Sequence, residues 1–375
     1  MNFSYSEEQA LLRDMAGKLV ADRYGFEARK TILAGSEGFS RALWDEIAEL
    51  GLTALNVPEA FGGLGSGPIE TALVMEAFGR ALVVEPFLAS AVLSSALLSL
   101  APEGAARAAL LPALASGKAI IASALYERRG RFDLDFVETR AARNGAQVIL
   151  SGEKTGVFGG GAAEGFLVSA RGPAGQGPSA IALYCVPRDT KGLTVLAARA
   201  FDSTSIATLV FDDVTLDNAA ALVAGNALPL IEQAVDIATA ALCAEALGVM
   251  RATLDLTTEY VRTRKQFGQP LGKFQVLQHA CADMFVAAEE AQSASLLASA
   301  RCLHKDPLQR RRAIAAAKVT INTAARFIGQ TAVQLHGGIA MTEEAAVSHY
   351  FRRLTAIENT FGDNDHHLAA FMALG

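Results

Sequence analysis

The first residues whose types and spacing suggest chemistry are an arginine and a phenylalanine beside a glycine bend, in Tyr260-Val-Arg-Thr-Arg264-Lys-Gln-Phe267-Gly268-Gln-Pro270. The planar guanidinium of Arg264 can make paired hydrogen bonds to phosphate oxygens. Taken alone, the same pattern could mark a helix end with a basic tip. A second candidate is Gln334-Leu-His-Gly337-Gly338, where two glycines would let backbone approach a ligand more closely than any side chain permits. The third is Glu245, set in the apolar run Ala240–Met250. Burial there would favour its protonated form, which suits a general acid or base near neutrality. Its alternative role is structural, paired to an arginine such as Arg264 or Arg301, or facing a subunit contact. His279 and His336 could line a groove, but no histidine spacing matches a metal motif, and adjacent His366 and His367 do not face one ion together.

These residues need a large scaffold. The chain has 375 residues, enough for two or three domains or one large core. With 51% apolar and 19% charged residues it reads as globular, and a net charge of −6 argues against a generic nucleic-acid binder. Cys185, Cys243, Cys281 and Cys302 show no C-x-x-C spacing and read as reduced and buried, in keeping with a cytoplasmic location. Met1-Asn-Phe-Ser-Tyr-Ser-Glu-Glu-Gln lacks a basic segment followed by an apolar one, so no secretory signal is expected. Apolar runs such as Phe87 to Leu100 are interrupted by serines and too short to span a bilayer.

Periodicity divides the chain into helix, sheet and helix. Residues 1–118 carry helical spacing over Glu7–Ala21, Phe39–Leu50, Ile69–Phe78 and Ala105–Ala115, with Ser6 and Ser40 as N-caps. Over 119–223 the runs Ile120–Leu125, Ala146–Leu150, Gly165–Ala170, Ala180–Val186 and Thr208–Phe211 are short, β-prone and separated by turn residues. They predict an antiparallel barrel or sandwich. Alanine-rich helices return over 224–375, at about 229–263, 274–304, 308–336 and 342–356, and predict a four-helix bundle. The expected class is α+β, mostly α.

At four separated places the chain resembles the acyl-CoA dehydrogenases. These are the Y-x-x-x-R-x-x-F-G…F-Q pattern at Tyr260–Gln275, the glycine-rich stretch Leu50–Gly65, Ala316-Ala-Lys318, and Gln334…Gly337-Gly338 followed by Thr342-Glu343. The stretch His349–His367 is most similar to the smaller subunits of pimeloyl-CoA dehydrogenases. The resemblance implies the helix–barrel–helix fold, FAD as cofactor, an acyl-CoA thioester as substrate and oxidation of its α,β bond. It also implies electron-transfer flavoprotein as acceptor and a dimer or tetramer. Arg264, Phe267, Gln334, Gly337 and Gly338 would meet the FAD lodged in a neighbouring subunit.

Other parts of the pattern depart from the family. Its C-terminal carboxylate base falls at Phe361, and the alternative base position on the preceding helix falls at Ala238. Glu245, seven residues on, lies two turns away on the same face, about 10 Å along the axis. Glu358, Asp363 and Asp365 lie near the loop position. The D-x-x-R that contacts CoA keeps Asp236 but has Thr239 for the arginine. The T-E-P-x-A-G-S-D segment keeps only Glu127 and Asp133, and W-I-T reads Gly156-Val157-Phe158. Three readings follow: an FAD-dependent dehydrogenase with Glu245 or a C-terminal acid as base; a non-catalytic subunit completing a partner chain's FAD site; or a flavin oxidase of the same fold.

Overall fold

The computed structural model describes residues 5–172 and 177–373; Met1–Ser4, part of the stretch read for a leader, lie outside them. Two compact units interleave along the chain. One gathers Met1–Thr31, Pro68–Val83 and Thr239–Gly375, and the other gathers Ile32–Gly67 and Val84–Ala238.

The first unit is helical. It contains α1 (Glu7–Arg23), α4 (Pro68–Ala81), α8 (Gln275–Arg301), α9 (Pro307–His336), α10 (Ala346–Glu358), α11 (Asn364–Ala373) and most of α7 (Leu228–Thr263). Ser6 caps α1 through a capping box in which its hydroxyl accepts from the Gln9 amide and the Gln9 side chain accepts from the Ser6 amide. The long helix α7 is apolar enough by composition to cross a membrane, but 83% of its most apolar window is buried within the protein. It crosses α4 at a glycine notch. A Cβ on Gly79 would lie 2.1 Å from the Glu245 carbonyl oxygen, and one on Gly248 would lie 2.0 Å from that of Glu76. Neither position admits a side chain, so the two backbones touch. Arg251 seals the crossing by pairing with Glu76 and donating to Gln292 of α8 at 2.8 Å. Helix α11, absent from the periodicity reading, packs on α9.

The second unit carries the sheet. Its strands are β1 (Ile121–Ala124), β2 (Arg140–Asn144), β3 (Gln147–Phe158), β4 (Gly165–Arg171), β5 (Ile181–Pro187), β6 (Leu193–Arg199), β7 (Ser205–Asp217) and β8 (Ala221–Val223). They run in the order β6-β7-β3-β2-β4-β5-β8, with β1 beside β4. The sheet is mixed: β4 pairs parallel with β1 and β2, and the remaining pairs are antiparallel. The wholly antiparallel arrangement expected is corrected here because the β2–β3 hairpin separates β1 from β4, and the chain returns in the same direction. Strands β2 and β6 escaped the periodicity reading because each is mostly exposed and alternates weakly. The same unit holds α3 (Arg41–Glu49), capped by Ser40, and α6 (Ala105–Ala115). The fully buried Trp44 of α3 donates its indole N–H to the Gly117 carbonyl at 2.8 Å.

Substitution Gly248→Ala tests the notch. A methyl group there must push α4 from α7, and overpacking of this kind costs about 1–3 kcal/mol. Chemical denaturation should show that loss; an unchanged midpoint would show that the helices are free to separate.

Candidate functional site

The end of α7 runs into a two-residue-stranded hairpin, β9 (Lys265–Gln266) with β10 (Gln269–Pro270). Its turn residues Phe267 and Gly268 both have left-handed backbone, at φ 56° and 82°, as a tight twisted hairpin requires. Holding a phenylalanine there costs about 1–3 kcal/mol. The side chain is not buried in return: Phe267 is 88% exposed and makes a T-shaped pair with Phe274, with ring centroids 6.0 Å apart. Arg264, one residue before the hairpin, is exposed, and its guanidinium has no partner among the described residues. A bare guanidinium and a bare aromatic ring on strained backbone thus share one turn.

A second element is tied to this turn. The phenol of Tyr260, one helical turn before Arg264, donates to the His336 carbonyl at 3.2 Å. Its ring also stacks on the His336 imidazole at 4.3 Å. His336 holds its Nδ1 2.8 Å from the Ala332 carbonyl, and burial lowers its pKa, so the ring is neutral at pH 7. The link joins the C-terminal end of α9 to that of α7, bringing Gln334, Gly337 and Gly338 to the same end of the unit as Arg264. Gln334 is exposed, Gly337 has φ 69°, and a Cβ on either glycine would meet nothing within 4 Å. Space lies open over this backbone.

The loop after α10 has a different character. Phe361 is buried, with φ 59°, and Gly362 follows at φ 122°. A buried lysine shapes this turn. Lys318 of α9, with no solvent exposure, donates to Asn322 Oδ1 at 2.7 Å, the Ile357 carbonyl at 2.9 Å and the Gly362 carbonyl at 3.3 Å. Burial pushes its pKa down to about 8 against the opposing pull of Cys243, Glu358 and Asp363, so it is charged at neutrality. Gly362 must lack a side chain, since a Cβ would lie 2.5 Å from His367 Nε2. Nearby acids are engaged: Glu358 pairs with Arg326, and Asp363 accepts from the His366 amide at 2.9 Å. Asp365 is exposed in the first turn of α11.

Glu245 is buried, as its neighbours suggested, but it has company. Arg353 of α10 donates to Glu245 Oε1 from Nε and from Nη2, each at 2.7 Å, and both side chains are 7% exposed. The partner is neither Arg264 nor Arg301. The pair lies within a helix packing surface.

In the sheet unit, Glu127 is the centre of a closed network. Its carboxylate accepts from the amides of Glu138 and Thr139, the Thr139 hydroxyl and Lys154 Nζ, at 2.7 to 3.0 Å. Burial would raise its pKa, but Lys154 and these donors outweigh it and hold the carboxyl below the usual range. Lys154 has no solvent exposure, is pushed down to about 8 by burial, and donates also to Ser169. The network braces the loop Arg128–Phe136 against β3. Asp236, within α7, lies close enough to Tyr126 that burial and its charge together raise the phenol pKa. At Gly156 a Cβ would meet nothing within 4 Å, where the resemblance places a tryptophan.

All four cysteines are free; Cys243 and Cys302 are buried, whereas Cys185 and Cys281 are half-buried, which corrects the expectation that all are buried. Burial pushes the thiols of Cys185 and Cys243 up to about 11 and about 12, so neither is a nucleophile. Among the described residues no cluster of ligands could hold a metal ion.

Comparison with known proteins resolves the family. Residues 6–118 match the acyl-CoA dehydrogenase N-terminal domain and residues 226–373 the C-terminal domain. Acyl-CoA dehydrogenase IpdE2 of Mycobacterium tuberculosis is 31% identical over 350 residues, covering 92% of this chain and 91% of that one. The chain belongs to the acyl-CoA dehydrogenase family. Its cofactor is accordingly FAD, and its reaction class the oxidation of an acyl-CoA thioester. Among solved structures, a variant of the Tcur3481–Tcur3483 steroid ACAD superposes with a TM-score of 0.88 at 27% identity, covering 98% of this chain and 97% of that one. The ChsE4–ChsE5 complex from Mycobacterium tuberculosis gives 0.88 at 26%, covering 100% and 98%.

The buried histidine beside Lys318 predicts an acid-labile fold. Burial, with Lys318 and His366 adding to it, pushes His367 down to about 3. A group with a depressed folded pKa contributes stability that is fully present above its unfolded value near 6.5 and is lost as pH falls toward the folded value. Denaturation midpoints should therefore fall steadily from pH 6.5 to 4.5, before the carboxylates titrate. In His367→Gln the slope over that window should flatten; an unchanged slope would place the titration elsewhere.

Proposed function

We propose that this chain is one subunit of a hetero-oligomeric, cytoplasmic acyl-CoA dehydrogenase, in which it completes the FAD site of a second dehydrogenase chain and leaves proton abstraction to that partner. The observation that carries the reading is Phe361. The position that resembles the family's C-terminal base holds a buried aromatic side chain on a turn fixed by Lys318. Glu245, the remaining candidate base, is committed to Arg353, and the loop acids Glu358 and Asp363 are engaged locally. A carboxylate that must take a proton from carbon needs a free oxygen within reach of its substrate, and the pairings of Glu245, Glu358 and Asp363 weigh against each of them.

The other half of the site supports binding. Arg264 would hold the cofactor's pyrophosphate by a forked, charge-assisted contact. Phe267 would pack against it, and the open backbone at Gly337 and Gly338 would let it lie close, with Gln334 donating from the helix end. FAD bound there supplies hydride acceptance; this chain's residues orient it and exclude water from one side. Asp236 is assigned to the thioester side, through the CoA portion of the substrate. Electron-transfer flavoprotein is the expected acceptor. The Tcur3481–Tcur3483 and ChsE4–ChsE5 structures each pair two named chains, which supports an assembly of unlike subunits here.

Native mass measurement with flavin quantification tests this reading. The chain alone should retain little flavin, and co-expression with a second dehydrogenase chain should yield a complex with one FAD per pair. A homo-oligomer that is yellow and bleaches with an acyl-CoA would overturn it. In the loaded complex, Arg264→Ala should reduce FAD affinity by about tenfold or more, since a charge-assisted contact of this kind contributes about 1.5–3 kcal/mol. Glu245→Gln separates the two roles for that residue. If structural, it leaves Arg353 buried without its counter-charge and lowers stability by about 3–5 kcal/mol, while turnover per bound flavin is retained. Loss of turnover in folded, flavin-loaded Glu245→Gln would restore it as the base.

A further inference from the structure

A polar cavity lies wholly within the sheet unit, away from any residue assigned above. It encloses about 530 Å3 between the Ser36–Phe39 loop, the Gly161–Glu164 loop, the end of β6 and the start of β7. Three arginines line it: Arg41, Arg188 and Arg199. What sets the last two apart is the nature of their partners. Arg188 Nη1 donates to the carbonyls of Gly160, Gly161 and Ala163 at 3.1, 3.3 and 2.8 Å. Arg199 donates to the carbonyls of Leu33 and Gly35, the latter at 2.8 Å. Carbonyl oxygens orient a guanidinium without neutralising it, so both charges remain in the cavity wall. Arg41, by contrast, is balanced by Asp45 at 3.3 Å and Glu164 at 3.2 Å.

The surrounding groups suit a small anion. Ser36, Ser203 and Ser205 line the same space, and among the described residues their hydroxyls are not engaged in hydrogen bonds. The loop at Gly38 lies directly on the Arg199 guanidinium: with φ 72°, a Cβ there would be 3.1 Å from Nη2. Ser203 is also left-handed, at φ 74°, a costly conformation for a residue with a side chain. Glu37 is the one lining carboxylate without an arginine partner, and it offsets only one of the two uncompensated charges.

From this arrangement we infer that the cavity is an anion site for a phosphate group, held between the Arg188 and Arg199 guanidiniums and the Ser203 and Ser205 hydroxyls. Forked guanidiniums and hydroxyl donors are the complement of a tetrahedral oxyanion. Phe39 and the alanines 162, 163, 197 and 198 form the remaining, apolar wall, which leaves room for a small organic portion beyond the phosphate. Because the Gly160–Ala163 carbonyls are clipped to Arg188, occupation would tighten the turn that directly follows Phe158.

The test uses the flavin-loaded protein, so that the cofactor site is filled. Isothermal titration with potassium phosphate, at ionic strength held constant with potassium chloride, should show saturable binding. Arg199→Gln should weaken it by about tenfold, the loss expected for one charge-assisted fork. Glu37→Gln should tighten it several-fold by removing the opposing charge, a gain that damage to folding could not produce. Glycerol phosphate separates the two sources of the group: tighter binding than inorganic phosphate indicates a phosphorylated metabolite, and equal binding indicates free phosphate. The inference is overturned if phosphate gives no saturable heat beyond the chloride control. It is equally overturned if Glu37→Gln leaves the affinity unchanged.

Discussion

The stacked and hydrogen-bonded contact between Tyr260 and His336 is the constraint on which the proposed cofactor-facing end of this protein depends. Residues 264 and 334 are seventy positions apart, and neither is buried, so no hydrophobic force holds them in register. A tyrosine one turn before the end of α7 and a histidine at the last residue of α9 do so. Partial burial of His336 lowers its pKa and favours the neutral imidazole at this contact. The exposed turn and the open glycine backbone then share one end of the helical unit.

Buried charge in this chain is spent on architecture. Lys318, Arg353 and Lys154 are each almost fully enclosed, and each has oxygen partners at short range. A buried ion stripped of its partner costs several kcal/mol, so these groups cannot readily move to serve catalysis. That pattern explains why an ionisable residue in an apolar setting was a tempting but ambiguous signal. Glu245 met the burial expectation, yet its oxygen is already occupied by a residue more than a hundred positions away. Three carbonyl acceptors around Lys318 do something similar for the loop at Phe361, where lysine fixes backbone rather than a reacting group.

The helical unit uses glycine in two ways. In the helical unit Gly79 and Gly248 let backbones meet inside the protein, whereas Gly337 and Gly338 leave backbone bare on the outside. The first pair is a packing device, and the second leaves open space above the backbone. Spacing alone does not distinguish them.

Much of the architecture was legible in local patterning. The helices α7 to α9 announce themselves by length and apolar period, and β1, β4 and β5 by continuous burial-prone runs, because each buries a regular face. Strands β2 and β6, nearly all exposed, and the short helix α11 carry no such period, and only their neighbours define them. Residue type alone determined what Arg264, Phe267 and the Gly337-Gly338 pair could do, since a guanidinium fork and a missing Cβ act through their own chemistry. The tertiary structure decided which of these groups are free to do it. Charge neutralisation and hydrogen bonding are pairwise: Arg353 reaching Glu245, Lys318 reaching Gly362 and Tyr260 reaching His336 are contacts between distant segments, and no local stretch of sequence encodes its partner.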